Sequence, residues 1–160
     1  MKIPCKRIAS AFLLVGWACP NAYAAAQHLR DVGNHGIYRL DKGRGCAADD
    51  MAEGVLVRVA VGPAGLYFSF PLTPKVTKGT TVTLTVDGKS KPIPLTGAEQ
   101  TRAWIADDEK GALTDLLKKG NKEISVKLPD GTVFGYELIN THMQQIMDAL
   151  YSCVNDKNWK

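Results

Sequence analysis

The sequence is poor in the side chains that usually carry catalysis or hold metal ions. Its 160 residues contain three histidines and four cysteines, and they show neither the CxxC spacing of redox and zinc sites nor the HExxH spacing of zinc hydrolases. A phosphate-binding glycine loop, a dinucleotide fingerprint and a GxSxG nucleophile elbow are missing as well. We therefore predict that the protein is not an enzyme and takes no cofactor and no metal. Dispersed carboxylate pairs of the glycosidase type are an arrangement that a sequence does not exclude.

The histidines and the chain ends are expected to be peripheral. His28 and His35 fall in a polar N-terminal segment, residues 25–35, which we expect to be flexible and solvated. We expect the same of the tail at residues 155–160, which includes an exposed Trp159. His142 falls in the first turn of the last predicted helix, where a surface or capping role is more common than metal binding.

The N-terminus has the parts of a secretory signal peptide. Basic residues are followed by an apolar run at residues 8–18 and by Ala22-Tyr23-Ala24, a cleavage site of the small-x-small type. We predict that residues 1–24 are removed, that residues 25–160 form a single domain, and that the protein is periplasmic or secreted. Lipidation at Cys19 is the alternative interpretation of the same region.

The chain without its leader would carry nearly equal numbers of positive and negative side chains. The formal net charge is +4, and Lys2, Lys6 and Arg7 leave with the leader, so the exported chain carries a net charge of only +1. This balance gives no support to nucleic-acid binding. No apolar run after the leader is long enough to cross a bilayer, so we predict no membrane span. The sequence makes no prediction about the oligomeric state.

Two cysteines remain after export, Cys46 near the start of the domain and Cys153 near its end. An oxidising compartment lets a disulfide persist, so we predict that these two cysteines are bonded and tie the ends of the domain together. A redox or metal-binding pair is the alternative, but neither cysteine has a CxxC partner or a neighbouring histidine cluster.

The order of local patterns predicts one β-rich domain. Alternating apolar and polar residues predict strands, with turn-forming residues between them. Pro92 and Pro94 make residues 90–95 either an edge strand or not a strand, because proline cannot donate to a central ladder. The predicted strands are residues 36–40, 55–61, 66–72, 80–86, 90–95, 101–105, 122–128 and 133–138.

Two helices complete the predicted domain. One is short, at residues 112–119, and the other begins at Thr141, with Thr141 and Gln144 as a capping box and an apolar face from Met143 to Leu150. The predicted fold class is mainly β (α+β): a curved antiparallel sheet or sandwich-like β domain with a short helix and a C-terminal helix packed on it. The acidic segment at residues 49–53 is expected to form a solvated loop, with cation binding as the alternative. Arg58 is expected to face solvent, with a ligand-binding role as the alternative.

Several segments together resemble the invasion-associated locus B family of exported bacterial proteins. The resemblance covers roughly residues 55–150 and lies in element order and in strand, turn and helix composition. It implies a small β-rich periplasmic domain with a link to host-cell invasion and no defined biochemical activity. The segments that carry it are residues 71–72, 79–88, 93–95, 113–120 and 134–138.

A candidate partner-binding site lies between a strand and the short helix. Trp104 is followed closely by Asp107, Asp108 and Glu109, which places an aromatic side chain and three carboxylates on one connection, a pattern typical of an anchor with a charged rim. The alternative is that Trp104 belongs to the core and that the acidic residues only cap the helix.

Three functions are compatible with these features. The first is an exported, non-catalytic protein-binding domain, an envelope or host-interaction factor with a protein partner. The second is a periplasmic inhibitor or immunity protein that blocks a cell-wall-degrading enzyme with the acidic segment. The third is a carrier that holds a small ligand between sheet and helix.

Overall fold

The structure is a computed structural model, and it describes residues 26–40, 44–50, 57–74, 76–99 and 101–156. The predicted leader, residues 51–53 of the acidic segment and Trp159 lie outside the described residues. The described chain forms eleven strands and two helices. In chain order these are β1 (Gln27–Val32), β2 (His35–Arg39), β3 (Cys46–Asp50), β4 (Arg58–Gly62), β5 (Gly65–Pro71), β6 (Thr81–Val86), β7 (Lys89–Pro94), β8 (Gly97–Glu99), β9 (Arg102–Ala106), α1 (Ala112–Leu117), β10 (Glu123–Lys127), β11 (Val133–Glu137) and α2 (Met143–Val154).

The strands form two antiparallel sheets. The larger sheet has the order β1-β2-β3-β4-β5-β9-β8, and the smaller sheet has the order β11-β10-β6-β7. Strands β1 to β5 follow one another as neighbours, whereas β9 returns to pair with β5 after the chain has passed through β6 and β7 of the other sheet. The mainly β, sandwich-like α+β fold predicted from the sequence is confirmed.

Strand β7 lies at one edge of the smaller sheet, and its amino-acid composition discourages pairing with another strand. Pro92 and Pro94 lie in β7, which pairs with β6 on one side only. Because proline has no N–H, and because lysines stand beside the two prolines, this edge is a poor template for another strand. The predicted edge position of this segment is confirmed.

The core lies between one face of the larger sheet and a cover made of α2 and the smaller sheet. Phe68 stands edge-on to Tyr136 at 6.4 Å between ring centroids, and Phe70 stacks on Phe134 at 5.7 Å. These pairs join β5 to β11, and α2 contacts β2, β3 and β4 beside them. We call the covered side of the larger sheet its inner face and the opposite side its outer face.

The disulfide fastens α2 to the inner face. Cys46 in β3 is bonded to Cys153 in the last turn of α2, with 6.2 Å between the Cα atoms and 107 residues of sequence separation. The predicted pairing of the two cysteines is therefore present in the fold. Since Cys46 is fully buried, the bond also forms part of the core.

The start of α2 differs from the prediction. The helix begins at Met143, and its N-cap is His142, whose side chain accepts a hydrogen bond from the Gln145 backbone N–H. The predicted capping box of Thr141 and Gln144 is wrong, because Thr141 stands one residue too early and its hydroxyl donates to the Gln145 side chain instead. A capping role for His142 was among the roles expected from the sequence.

The N-terminal segment was expected to be a solvated lead-in, and this expectation is wrong in two respects. Gln27–Val32 forms β1, which pairs with β2, so the segment belongs to the larger sheet. His35 is fully buried at the start of β2, where its ring stacks on Tyr136 at 4.3 Å. The physical reason is that the tight turn at Gly33 and Asn34 folds β1 back on β2 and carries His35 into the core.

The acidic segment was expected to be a loop, and its described part is a strand. Asp49 and Asp50 end β3, and Asp49 is buried because it forms an ion pair with Arg58 on the neighbouring strand β4. A charged pair satisfied across two strands is compatible with burial, whereas a lone carboxylate is not. No helix within the described ranges is both long enough and apolar enough to cross a membrane.

Candidate functional site

The outer face of the larger sheet presents a row of polar and aromatic side chains. In β4, β5 and β9, residues with buried apolar side chains alternate with residues that point the other way, as strand geometry requires. Strand pairing places Arg58 opposite Ser69 and Ser69 opposite Trp104, while Tyr67 stands opposite Ala106. Four strands are thus needed to assemble this surface, since Asp49 of β3 stands opposite Arg58.

The indole ring of Trp104 packs against the backbone of a glycine, Gly97. Gly97 stands opposite Trp104 in the β8–β9 pair, and a Cβ atom at Gly97 would come within 2.0 Å of the indole ring. The ring therefore packs flat against the backbone of β8, which no residue other than glycine would allow. Trp104 is half-buried and is not part of the core, so the interpretation of Trp104 as a core residue does not hold.

Arg58 is held by the buried carboxylate Asp49. The guanidinium donates from Nε to Oδ1 and from Nη2 to Oδ2 of Asp49, both at 2.7 Å, which is a bidentate pair. Burial acts to lower the pKa of Arg58, but the hydrogen bonds and the charge of Asp49 outweigh it, so that pKa lies above its ordinary value. Arg58 was expected to face solvent; the structure places it on the outer face, half-buried and paired.

Arg102 is held by the main chain of the neighbouring strand. Its Nε donates to the hydroxyl of Ser69 at 3.2 Å, and its Nη2 donates to the carbonyl oxygen of Ser69 at 3.0 Å. The guanidinium therefore lies across β5 in one orientation. Such a fixed guanidinium loses little conformational entropy when a negatively charged group approaches it.

Tyr67 stands among these charged groups. Burial raises the pKa of Tyr67, while the positive charges of Arg58, Arg102 and Arg44 act to lower it and the charge of Asp49 acts to raise it. The outcome is a pKa above the ordinary value, so the phenol is a neutral hydrogen-bonding group at neutral pH. Three guanidinium groups and one carboxylate therefore act on this one hydroxyl.

These side chains enclose a cavity of about 360 Å³, which we call the Trp104 groove. Its walls are Arg58 and Arg102 with their charged ends and Trp104 with its indole, and Tyr67 and Ala106 lie between them. The β4–β5 turn, through Ala64 and Gly65, closes one end. Few polar groups set in an apolar concavity of this volume are typical of a ligand-binding site.

The acidic residues predicted to accompany Trp104 do not all face outward with it. Asp107 accepts hydrogen bonds from the backbone N–H groups of Leu113 and Thr114 and from the Thr114 hydroxyl. Asp108 accepts from the backbone N–H groups of Lys110 and Ala112. Two of the three carboxylates are thus used to hold the start of α1.

Asp108 and Glu109 are exposed, and Glu109 stands next to the capping residues on the same connection. The hydrogen bonds from Ala112 and Lys110 hold the pKa of Asp108 below its usual range despite an opposing desolvation effect. The structure therefore separates the predicted site into two parts. Trp104 lines the groove on the outer face, and the acidic connection lies at the end of β9, where it caps a helix.

The histidines take structural positions, and no metal centre is visible. His35 is in the core, and His142 caps α2. His28 contacts Asp31 at 2.7 Å on β1. Within the ranges that the structure describes, no group of three or more His, Cys, Asp or Glu side chains could hold a metal ion.

Reasoning from the sequence missed Tyr67, Ser69 and Arg102 as parts of the site, and it held a ligand-binding role for Arg58 only as the alternative to a solvent-facing charge. A usable signal was present for three of them, because Arg58, Tyr67 and Ser69 occupy the polar positions of a predicted hairpin and therefore share one sheet face. The position of Trp104 beside them depends on the pairing of β5 with β9, which joins strands far apart in the sequence.

Comparison with known proteins found no significant match to this chain among protein families, curated proteins or solved structures.

Proposed function

We propose that the protein is an exported, non-catalytic protein-binding domain that acts as an envelope or host-interaction factor and recognises its partner through the Trp104 groove. The leader, cleaved after Ala24, would deliver it to the periplasm or to the outside of the cell. The resemblance to the invasion-associated locus B family supports the same role. The disulfide supports an oxidising compartment, because bonds of this kind persist there and rarely in the cytosol.

The observation that carries the proposal is the half-exposed indole of Trp104 beside two oriented guanidinium groups. Tryptophan and arginine are the side chains most enriched among residues that dominate binding energy at protein interfaces. Both are held in place before any partner arrives, Trp104 by Gly97 and Arg102 by Ser69. Preorganisation of this kind lowers the entropy cost of association.

The positions of the ionisable groups also support binding rather than catalysis. Asp49 is paired with Arg58, Asp107 caps α1, and His35 is enclosed in the core. Each of these groups has a structural role, and none of them faces a nucleophile in the way that acyl-transfer catalysis needs. The structure supports an inhibitor or immunity protein less well. That hypothesis relies on a protruding acidic connection, whereas Asp107 and Asp108 accept hydrogen bonds from the backbone at the start of α1.

The test is an interaction assay with one groove variant and one matched control. The chain from Ala25 is used to capture partners from periplasmic extract, and each recovered protein is then purified and titrated against wild type, Trp104→Ala and Tyr151→Ala. Tyr151 is an exposed aromatic residue on α2 and leaves the groove intact. We expect Trp104→Ala to weaken binding about tenfold or more and Tyr151→Ala to leave it unchanged.

Two results would contradict the proposal. One is that every purified partner binds wild type and Trp104→Ala with equal affinity, provided that the variant keeps the near-ultraviolet circular dichroism of a folded domain. The other is that loss of binding follows Tyr151→Ala and spares Trp104→Ala, which would move the interface to α2.

The cavity volume is compatible with a second candidate, a carrier of a small ligand, which would be held in the Trp104 groove on the outer face and not between sheet and helix as expected from the sequence. A volume of about 360 Å³ lies within the range of small-molecule pockets. Native mass spectrometry of protein purified without denaturation should then show an added mass that disappears in Trp104→Ala. Repeated spectra without added mass would exclude the carrier.

A further inference from the structure

We infer that the Trp104 groove recognises a partner segment in which an acidic side chain stands beside an apolar or aromatic one. The inference rests on the proposed protein-binding function and adds the chemistry of the partner. It depends on two properties of the groove that can be tested separately, its positive charge and its apolar wall.

The charge of the groove is positive. Arg44, Arg58 and Arg102 all act on Tyr67, and Asp49 is the acidic group that acts on it. Asp49 is bonded through both oxygens to Arg58 and lies almost fully buried behind it. Glu99 stands opposite Arg102 at the β8 edge, so even with Glu99 counted three cations face two carboxylates.

The cations are presented in a form that suits a carboxylate. Arg44 is exposed, and its backbone lies beside the β4–β5 hairpin, since its carbonyl oxygen lies 3.0 Å from the position of a Cβ at Gly62. Arg102 is oriented by Ser69, as described above. Arginine forms shorter and stronger hydrogen bonds with carboxylates than with neutral acceptors. Arg58 and Arg102 already donate from Nε and Nη2 to Asp49 and Ser69, so they contribute mainly their positive charge, and the fork of the exposed Arg44 is the one that can match two carboxylate oxygens.

The opposite wall is apolar. The indole of Trp104 lies flat on Gly97, and Ala106 and Ala64 continue the surface toward the turn. An aromatic or aliphatic side chain placed against this wall would remove apolar surface from water on both sides. A segment with an acidic and an apolar side chain next to each other would therefore contact both walls at once, whereas a purely acidic or purely apolar segment would contact one.

The probes are two blocked peptides that differ at one position, acetyl-Gly-Phe-Glu-Leu-Gly-amide and its glutamine counterpart, together with free 3-phenylpropionate. Binding is followed in ¹⁵N-labelled chain from Ala25 that carries Trp159→Phe, so that the one indole N–H resonance belongs to Trp104. The variants are Arg44→Gln and, as a matched control, Arg30→Gln, since Arg30 is an exposed arginine in β1 at the far edge of the same sheet.

We expect the glutamate peptide to shift the Trp104 indole resonance and to bind about fivefold or more tightly than the glutamine peptide. Raising the salt concentration from about 50 to about 500 mM should remove most of that difference, because the charges lie near the surface. Arg44→Gln should lower the affinity for the glutamate peptide by about threefold or more and leave the affinity for the glutamine peptide unchanged. Arg30→Gln should change the affinity for neither peptide.

Each other outcome overturns the inference. Equal affinities of the two peptides, or no shift of the Trp104 resonance with either peptide at about millimolar concentration, would contradict the stated chemistry. If 3-phenylpropionate binds as tightly as the glutamate peptide with the same dependence on Arg44, the groove serves a free small carboxylate and not a partner chain.

Failure of the inference and failure of the proposed function give different results. If a purified partner binds wild type, loses affinity with Trp104→Ala and shows no dependence on salt or on Arg44, the groove binds protein but not through an acidic segment. If Trp104→Ala leaves both partner and peptides bound, the interface lies elsewhere and both proposals are wrong.

Discussion

His35 makes the stability of the fold sensitive to pH. Its ring is fully buried against Tyr136, and neither ring nitrogen makes a hydrogen bond of normal geometry in the described part of the chain, although the Val32 backbone lies near enough to favour the protonated ring weakly. Burial lowers the pKa of His35 below its ordinary value, and the charge of Asp50, the Val32 backbone and the charge of Asp49 oppose this only in part. The neutral imidazole is therefore the form that the folded core accepts.

The direction of the pH effect follows from linkage. In the unfolded chain His35 binds a proton near pH 6.5, its ordinary pKa, whereas the folded protein binds that proton only at lower pH. Stability is therefore fully present above about pH 6.5 and decreases as the pH falls toward the folded pKa. The steepest slope is about 1.4 kcal/mol per pH unit, so the loss between pH 6.5 and pH 5 is at most about 2 kcal/mol.

The measurement is urea unfolding, followed by circular dichroism, of wild type and His35→Phe between about pH 7.5 and pH 5. Phenylalanine keeps a ring against Tyr136 and removes the titration, so the difference in unfolding free energy between the two proteins should change by up to about 2 kcal/mol across this range. Val133→Ala, at an exposed position without a titrating group, is the control and should keep the pH profile of wild type. Parallel pH profiles of wild type and His35→Phe would refute the reasoning. If His35→Phe fails to fold, the NMR titration of the His35 ring protons in wild type decides, and an apparent pKa at or above the ordinary value would refute it.

Three further predictions concern the disulfide, the cap of α1 and the packing of Trp104 against Gly97. Replacing Cys46 and Cys153 by alanine should lower the unfolding free energy by about 4 to 5 kcal/mol, because the bond closes a long loop, and a loss below about 1 kcal/mol in urea unfolding would contradict this. Asp107→Ala should cost about 1 to 2 kcal/mol through loss of the α1 cap, while Glu109→Ala, as control, should stay within about 0.5 kcal/mol of wild type. Gly97→Ala should displace the indole of Trp104 and change its fluorescence in a Trp159→Phe background, and an unchanged spectrum would show that the ring does not lie on Gly97.

The Trp104 groove lies mainly on regular secondary structure. Most of its lining residues belong to β4, β5 and β9, and the β4–β5 turn closes one end. Its two arginines are each oriented by a neighbour, Arg58 by Asp49 and Arg102 by Ser69. Sites on regular elements with supported side chains hold their geometry better than sites on loops. The disulfide holds the inner face of the same sheet against α2. Strand β4, which carries part of the groove on the outer face, is therefore packed against the helix on its other side.

The sequence by itself determined the features that depend on neighbouring residues. Alternation of apolar and polar side chains predicted the β4–β5 and β10–β11 hairpins, and Pro92 and Pro94 predicted the edge strand, because strand faces and proline chemistry are local properties. The pairing of Cys46 with Cys153 could also be predicted, since only two cysteines lie outside the predicted leader.

The tertiary structure alone decided which distant residues meet. The pairing of β5 with β9 placed Trp104 beside Tyr67 and Ser69, and the packing of β2 against Tyr136 of β11 buried His35, which its polar sequence neighbours had marked as solvated. The same holds for Asp107, whose carboxylate turned to the backbone of α1 and not to solvent. Strand order and burial depend on contacts between residues tens of positions apart, and a local pattern of residue types carries no information about such contacts.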